Sequence, residues 1–159
     1  MENEMRYLWV VCTLLLSACQ SVTVESSNES SAVKVFTSEE SFEDVVENIK
    51  MAIIERGLLV SGTLHVSKML NRTATDLGFS QLFLKAESVG FCSALMSHKM
   101  AQAAVENISI CPFTIAVYEK QAQPEQVYVA YRPPYFAGDG QQVTKEIVNL
   151  LEGIIEDSI

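Results

Sequence analysis

The sequence has little positive charge, and this shortage excludes one large class of partners. Eleven Lys and Arg residues are scattered among twenty Asp and Glu residues, which gives a formal net charge of −9. Proteins that bind DNA or RNA place clustered Lys and Arg against the phosphate backbone, and the sequence shows no basic stripe. Nucleic acid is therefore not an expected partner. The same balance argues against electrostatic attachment to anionic lipid, so any membrane attachment has to come from a covalent anchor.

Long apolar runs and recognised catalytic motifs are also missing. The mostly apolar run at residues 7–16 has ten residues, about half of the roughly 20 that a membrane-spanning helix needs. The sequence contains no glycine-rich phosphate loop, HExxH motif, nucleophile elbow or CxxC pair. Apolar residues still make up 48% of the chain, which is enough for a packed core. We expect one globular domain without an enzyme signature.

The N-terminal segment resembles a bacterial lipoprotein signal peptide. The apolar run leads into Leu16-Ser17-Ala18-Cys19, which resembles the lipobox, whose cysteine receives a diacylglycerol before cleavage and is acylated on its freed amine afterwards. Several acyl chains make a stable anchor, whereas one chain binds only marginally. We therefore expect cleavage before Cys19 and attachment to a membrane through lipid on this residue. An ordinary secretory signal with a chance cysteine is the alternative.

The residues after the lipobox suggest a location in the cell envelope. Gln20 occupies the position where Asp resembles the inner-membrane retention signal of Gram-negative cells, so its presence favours the outer membrane, with the domain facing the periplasm. The next residues are rich in Ser and acids and have no helical or strand period, as in a flexible linker. The expected organisation is a signal peptide at 1–18, a lipidated N-terminus and tether at 19–32, and a globular domain at 33–159.

The first four residues do not fit this signal peptide. A signal peptide begins with positive charge, whereas Glu2 and Glu4 add two acids ahead of the single Arg6. A start at Met5 removes both acids, so Met5 is expected to be the initiator in place of Met1.

Helical and strand patterns alternate through the globular part. Ser41 and Asp44 resemble a capping box ahead of a one-sided apolar helix that ends at Gly57. Two more helices are predicted at 68–77 and 143–155, and another begins after Ser93. Strands are predicted at 33–36, 58–66, 86–92, 113–119 and 127–131, the last two joined as a hairpin by residues 121–125. The order predicts an α+β two-layer sandwich with helices packed on a mainly antiparallel sheet.

Several local strings resemble the family called domain of unknown function 302 (DUF302). The resemblance runs from about Ser41 to Ala137 and is carried by Gly90-Phe91-Cys92-Ser93, by Cys111-Pro112-Phe113 with the strand after it, and by Val127-Tyr128-Val129-Ala130-Tyr131. It implies a compact α/β domain similar to dimeric relatives, hence a homodimer, and it implies no established activity. Cys92-Ser93 and Cys111-Pro112 stand where one common form of the family has Asn-Pro and Leu-Pro. The chain thus resembles a cysteine-bearing branch.

Few side chains of the expected mature domain can carry chemistry. They are Cys92, Cys111, His65 and His98. A thiolate or imidazole can bind zinc, copper or haem iron, and Cys92, His98 and Cys111 are the first candidates for a metal or redox site, with His65 as a possible fourth member. Cys92 also precedes a predicted helix N-terminus, where the helix dipole lowers the pKa of a thiol. The spacing matches no known zinc motif.

Plainer interpretations of the same residues remain open. Cys92 and Cys111 have 18 residues between them, and a disulfide closing such a loop stabilises by about 3 kcal/mol. Buried, inert thiols are the other ordinary interpretation. His65 falls on the more polar face of its predicted strand, as expected of a solvated or hydrogen-bonded histidine. Arg132, Tyr135 and Phe136 follow the last strand, where they line a small pocket, a dimer seam or only a loop.

Two functions therefore compete at the level of sequence. The first is a membrane-anchored accessory or binding module without enzymatic activity, whose ligand is a small molecule or a protein. The second is a periplasmic redox or metal-binding protein that uses Cys92, His98 and Cys111. The binding module is favoured over an enzyme because no recognised catalytic motif is present.

Overall fold

A computed structural model of the protein describes residues 32–138 and 140–159. The expected signal peptide, the expected lipidation site Cys19 and the expected tether up to residue 31 lie outside the described residues. No helix in the described part of the chain is long and apolar enough to cross a membrane.

The described residues form a single five-stranded antiparallel sheet. Its strands are β1 (Lys34–Ser38), β2 (Leu59–Leu64), β3 (Phe83–Cys92), β4 (Phe113–Lys120) and β5 (Gln123–Tyr131). Their order across the sheet is β1-β5-β4-β3-β2. The predicted first strand is thus an edge strand, and β3, β4 and β5 occupy the centre.

Helices connect the strands and cover the sheet. They are α1 (Phe42–Glu55), α2 (Val66–Ala74), α3 (Ala94–Ala103) and α4 (Gln141–Glu156), with a 3₁₀ helix at Val105–Ile110. α1 and α4 contribute most of the buried helical side chains, and these pack with the inward side chains of β3, β4 and β5. The observed architecture confirms the predicted α+β sandwich of helices on an antiparallel sheet.

α1 shows how the sequence specifies the main packing helix. Ser41 caps it by accepting a hydrogen bond from the Asp44 backbone N–H at 3.2 Å. Gly57 ends it in the left-handed region, at φ 69°. Six apolar side chains between these signals recur at helical spacing and form one buried face, while Met51 and Ile54 are exposed; the buried six are Phe42, Val45, Val46, Ile49, Ala52 and Ile53. The predicted N-cap at Ser41, stop signal and buried face are confirmed, while Asp44 accepts from the Ser41 hydroxyl at 2.6 Å and so does not complete the reciprocal capping box.

The β4–β5 hairpin has a tighter turn than the predicted loop of residues 121–125. β5 begins at Gln123, whose partner is Lys120, and the next ladder pair joins Val127 to Glu119. The intervening residues form a bulge in β5, in which Glu125 takes a positive φ of 72°. A bulge is where a strand accommodates Pro124, because proline cannot donate to the ladder. The sequence signals for a loop were therefore signals for an irregular strand.

The segment after β3 also departs from expectation. Ser93 caps α3 as predicted, with the Met96 backbone N–H donating to its Oγ at 3.3 Å, and Met100 is buried. Leu95, on the same helix, is 60% exposed. The 3₁₀ helix after α3 was not predicted, because short helices of this kind have no strong periodic signal.

Candidate functional site

Two of the candidate residues meet at one end of the sheet. β3 ends at Cys92 and β4 begins two residues after Cys111, and Phe91 lies opposite Phe113 in the ladder. The Sγ atoms of Cys92 and Cys111 are 2.9 Å apart, both half-buried and both thiols. The sheet register therefore brings together two thiols that are distant in the sequence.

A serine adjoins this thiol pair and was not identified from the sequence. Ser97 lies on the first turn of α3, and its Oγ is 3.8 Å from the Cys111 sulfur, close enough for a weak hydrogen bond to sulfur. No sequence motif points to Ser97, because its contact depends on how α3 folds back over the start of β4.

The predicted lowering of the Cys92 pKa is wrong. The neighbouring Cys111 thiol, with which Cys92 shares a hydrogen bond, and partial burial raise the pKa of Cys92 to about 11. Ionisation of Cys92 would remove the proton shared in its hydrogen bond with Cys111 and would place a charge on a partly buried sulfur, and both effects favour the neutral thiol. These local effects outweigh the expected influence of the α3 N-terminus, so Cys92 is a weak nucleophile at neutral pH.

The two histidine candidates lie apart from the thiols. His98 is exposed on α3 and makes no polar contact with another described residue. His65 stands at the N-terminus of α2, where its Nδ1 is 2.7 Å from Oε1 of Glu87 on β3. Among residues 32–138 and 140–159, no group of three His, Cys, Asp or Glu side chains could hold a metal ion. Of the four candidates, the structure brings together only Cys92 and Cys111.

A cleft opens next to the thiol pair, between the start of β4 and the chain after β5. Its volume is about 530 Å³, within the range of small-molecule sites. Its lining combines six apolar residues, three hydroxyl-bearing residues and one cation, and the exposed surface of the cleft is more polar than apolar; the residues are Ser109, Ile110, Pro112, Phe113, Thr114, Arg132, Pro133, Pro134, Tyr135 and Leu151. Ile110 and Pro112 flank Cys111 in the chain, so the cleft and the thiols are direct neighbours.

The residues after β5 behave differently from one another. Arg132 and Tyr135 line the cleft, and Tyr135 is 93% exposed. Arg132 forms no ion pair with any described residue, although the chain is rich in acids. Phe136, which was grouped with them as a pocket residue, is buried in the core. The buried Phe136 ring therefore fixes this segment to the domain, while Arg132 and Tyr135 line the cleft.

A buried amide holds the outer wall of the cleft in place. Asn107, in the 3₁₀ helix, donates from Nδ2 to the carbonyls of Met100 and Ala137, each at 3.1 Å, and its Oδ1 accepts from the Ala137 N–H at 2.9 Å. Both amide protons and the amide oxygen thus have partners, as a buried Asn requires. Asn107 ties the end of α3 to the segment that carries Arg132 and Tyr135.

Comparison with known proteins identifies the domain. The family model described as "Domain of unknown function DUF302" matches residues 34–158. The chain belongs to the DUF302 family. The match spans all five strands of the sheet, both thiols and the complete lining of the cleft. No curated protein matches the chain.

A solved structure supports the same fold. The crystal structure of an uncharacterized conserved DUF302 protein from Bacillus stearothermophilus superposes with a TM-score of 0.64 at 9% sequence identity. The match covers 81% of this chain and 99% of that chain. At this identity the likeness concerns the fold alone. The DUF302 domain is the part shared with that protein, and the chemistry of this chain has to be argued from its own side chains.

Proposed function

We propose that this DUF302 protein is a lipid-anchored binding module of the cell envelope, and that its cleft binds a small ligand with an anionic group and an apolar body. The observation that carries the binding proposal is Arg132, which lies without an ion-pair partner among the described residues in a cleft that combines hydroxyl groups with apolar side chains. A guanidinium group binds carboxylates and phosphates in a fork, while the apolar lining contacts the ligand body.

The lining of the cleft favours binding over catalysis. Among its described residues there is no His, Cys, Asp or Glu, so it holds no general acid or base that titrates near neutral pH. Ser109, Thr114 and Tyr135 contribute hydroxyl groups, which orient a ligand by hydrogen bonding. Binding without turnover is therefore the activity that this cleft supports.

NMR titration with benzoate, an aromatic carboxylate, tests the cleft in the domain fragment 32–159. We expect the amide signals of Thr114, Arg132 and Tyr135 to shift, and Arg132→Gln to weaken binding by about tenfold as the charge-assisted hydrogen bonds are lost. Lys120→Gln, which removes a cation from the far end of β4, should leave affinity unchanged. Benzyl alcohol, which lacks the charge, should bind more weakly. Shifts located elsewhere, or equal affinity in both variants, would remove the support for the proposal.

The membrane part of the proposal rests on the lipobox at Cys19. In this proposal the domain lies on the periplasmic side of the outer membrane and is held there by the lipidated cysteine and a short tether. Replacing Cys19 with Ala should leave an unprocessed precursor that takes up no labelled palmitate. Cys12→Ala, in the apolar run, is the matched control and should label normally. Palmitate labelling of the Cys19 variant would contradict the anchor.

A homodimer, expected from the resemblance to dimeric relatives, also belongs to the proposal. Sedimentation equilibrium of the fragment 32–159 tests it, with a mass that rises from one to two chains as the concentration increases. A single-chain mass at every concentration would contradict it.

The thiol pair favours a second candidate function, a dithiol that is oxidised in the envelope. The observation behind it is the 2.9 Å approach of the two Sγ atoms. In the proposed step, Cys92 and Cys111 lose two protons and two electrons to a partner disulfide, which becomes a dithiol as their own S–S bond forms. The form of this candidate that binds zinc, copper or haem iron has less support, because His98 and His65 do not join the thiols in a metal-sized group within the described residues.

Mass spectrometry distinguishes the two states of the pair. Protein purified from an oxidising compartment should be lighter by two hydrogen atoms than the reduced protein, and Cys111→Ser should abolish the difference. Two free thiols in the wild-type protein under these conditions would count against the redox candidate.

Thiol alkylation of the reduced protein tests the local electrostatics. Because the pKa of Cys92 is raised to about 11, the thiol stays protonated near neutral pH, and its labelling should accelerate only as the pH rises toward that value. Cys111→Ser removes the first cause of the shift and should lower the pKa, so labelling of Cys92 at about pH 8 should become faster. Equal labelling rates of Cys92 in both proteins would show that Cys111 does not raise the pKa of Cys92.

A further inference from the structure

The surface around α2 exposes large apolar side chains next to one another. α2 is strongly one-sided in its apolar pattern, yet Ala74 is its only buried residue. Leu77, Phe79 and Leu82, which follow the helix, are 65%, 71% and 67% exposed. Together with Leu70 they line a shallow, largely apolar hollow of about 290 Å³. We call Leu70, Leu77, Phe79 and Leu82 the α2 patch. Isolated exposed apolar residues are ordinary, but a contiguous group of this size indicates a contact surface.

The α2 patch is held in position by backbone hydrogen bonds. Gly78 takes a positive φ of 75°, the Phe79 N–H donates to the Ala74 carbonyl at 2.8 Å, and the Gly78 N–H donates to the Thr75 carbonyl at 3.1 Å. These two bonds form a Schellman motif, which closes a helix and fixes the residue after the glycine. At the other end, the Leu82 carbonyl accepts from the Gln121 N–H at 2.8 Å. Phe79 and Leu82 are therefore presented to solvent by a structured backbone.

The charge beside the α2 patch is opposite to that of the whole chain. Lys68 and Arg72 lie four residues apart on one face of α2, both exposed, and neither forms an ion pair with a described residue. The segment between Leu64 and Phe83 contains these two cations and only one acid, Asp76, although the net charge of the chain is −9. Lys and Arg flanking an apolar surface of leucine and phenylalanine form the pattern of helices that lie in a membrane interface.

We propose that the α2 patch docks on an anionic lipid surface, with Phe79 and the leucines in the interfacial region and Lys68 and Arg72 against lipid phosphates. The net negative charge of the whole chain argued against electrostatic attachment to anionic lipid. Because electrostatic interactions are screened beyond about one Debye length, the cations next to the patch and not the net charge determine the contact. A lipid at Cys19 would keep the patch close to such a surface. The docking itself needs no lipid on the protein.

Charge complementarity favours lipid over a second copy of the chain as the occupant. A two-fold symmetric dimer places the same patch on both sides of its interface. Lys68 and Arg72 of one copy would then meet Lys68 and Arg72 of the other, and these like charges would oppose each other. Anionic headgroups offer the opposite charge and an apolar layer behind it.

Vesicle flotation of the fragment 32–159 tests the docking without the anchor. This fragment contains the complete core and corresponds to nearly the whole of the solved relative. It should float with vesicles of equimolar phosphatidylcholine and phosphatidylglycerol and not with phosphatidylcholine alone. The double variant Phe79→Ser with Leu82→Ser should reduce partitioning by about tenfold or more, since two large apolar contacts are lost. Charge reversal by Lys68→Glu with Arg72→Glu should reduce it by about fivefold or more for each cation.

Matched control variants distinguish docking through the α2 patch from non-specific binding to lipid. Leu59 and Leu95 are 72% and 60% exposed on other elements, so Leu59→Ser with Leu95→Ser removes equivalent apolar surface outside the patch. Lys34→Glu with Lys145→Glu reverses the same amount of charge elsewhere. Both controls should float like the wild type, and all variants should keep the wild-type circular dichroism and melting temperature.

Three results would overturn the proposal. The first is that the wild-type fragment does not float with anionic vesicles. The second is that the patch variants and the control variants lose the same fraction of vesicle binding. The third is that the fragment does not bind vesicles but forms a dimer in solution, and that Phe79→Ser with Leu82→Ser converts this dimer to a monomer. The last result would assign the patch to a second copy of the chain. The fragment lacks Cys19, and benzoate binding to the cleft is measured in a separate experiment. If the docking proposal fails, the proposed anchor and ligand site are therefore unaffected. If the anchor or the ligand site fails, the docking experiment is still valid.

Discussion

α1 and α2 have similarly one-sided apolar patterns and very different surroundings. α1 lies over β3 and β4 and buries six side chains, and its N-terminus is capped by Ser41. α2 lies against β3 near the end of the sheet, buries Ala74 alone, and begins at His65 without a side-chain capping bond. An apolar helical face therefore does not by itself predict burial in the core, because its surroundings in the fold decide whether the domain covers it.

The largest expected difference between these helices is in core packing. Ile49→Ala in α1 should lower the free energy of unfolding by about 2 to 5 kcal/mol, because it leaves a cavity in a fully buried site. Leu70→Ala in α2 should change it by less than about 0.5 kcal/mol, because Leu70 is exposed. Urea unfolding followed by circular dichroism measures both. Similar losses would mean that α2 is packed as tightly as α1, and the comparison would fail.

A smaller contrast is expected between a hydrogen-bonded amide, Asn107, and an amide without such bonds, Asn71. Asn107→Ala leaves the Met100 and Ala137 carbonyls and the Ala137 N–H without their partner, and it should destabilise the domain by about 1 to 3 kcal/mol. Asn71→Ala on α2 is the control, since the Asn71 side chain forms no hydrogen bond with another described residue. The same denaturation experiment applies. Equal stability of the two variants would show that the Asn107 contacts contribute nothing net.

The smallest contrast concerns the first residue of each helix. Ser41→Ala removes the bond from the Asp44 N–H and should lower the free energy of unfolding by about 1 kcal/mol. His65→Ala removes no capping bond, only a half-exposed contact with Glu87, and should change stability by less than about 0.5 kcal/mol. Thermal melts at neutral pH compare the two. A larger loss for His65→Ala would mean that its contact with Glu87 holds α2 on the sheet.

Periodic patterns and local stop signals predicted most of the fold. The capped α1, the hairpin strands and the last helix follow from side chains that repeat along their own segment. The turn of the hairpin did not follow, because Pro124 and Glu125 are accommodated by a bulge whose register is set by pairing with β4. The 3₁₀ helix after α3 did not follow either, because a segment of six residues has too few turns for a periodic signal.

The candidate site was only partly accessible from sequence. Cys92 and Cys111 could be named, but their contact depends on the register of β3 and β4, in which Phe91 lies opposite Phe113. His98 and His65 could be named for the same chemical reason, and neither contacts the thiols. Arg132 and Tyr135 were recognised as pocket candidates from their place after β5, whereas Asn107 gave no signal at all. Long-range contacts of single polar side chains have no periodic signature in a sequence.

The Asn107 amide has a further consequence for how the cleft accepts a ligand. Because it bonds both the Met100 carbonyl and the Ala137 backbone, the segment carrying Arg132 and Tyr135 cannot swing outward without releasing the end of α3 as well. The wall is thus preorganised, and a ligand that enters does not have to order a loose loop, which is one of the main entropic costs of association. Entry should then need only side-chain adjustment, and the free and occupied forms should share one backbone conformation.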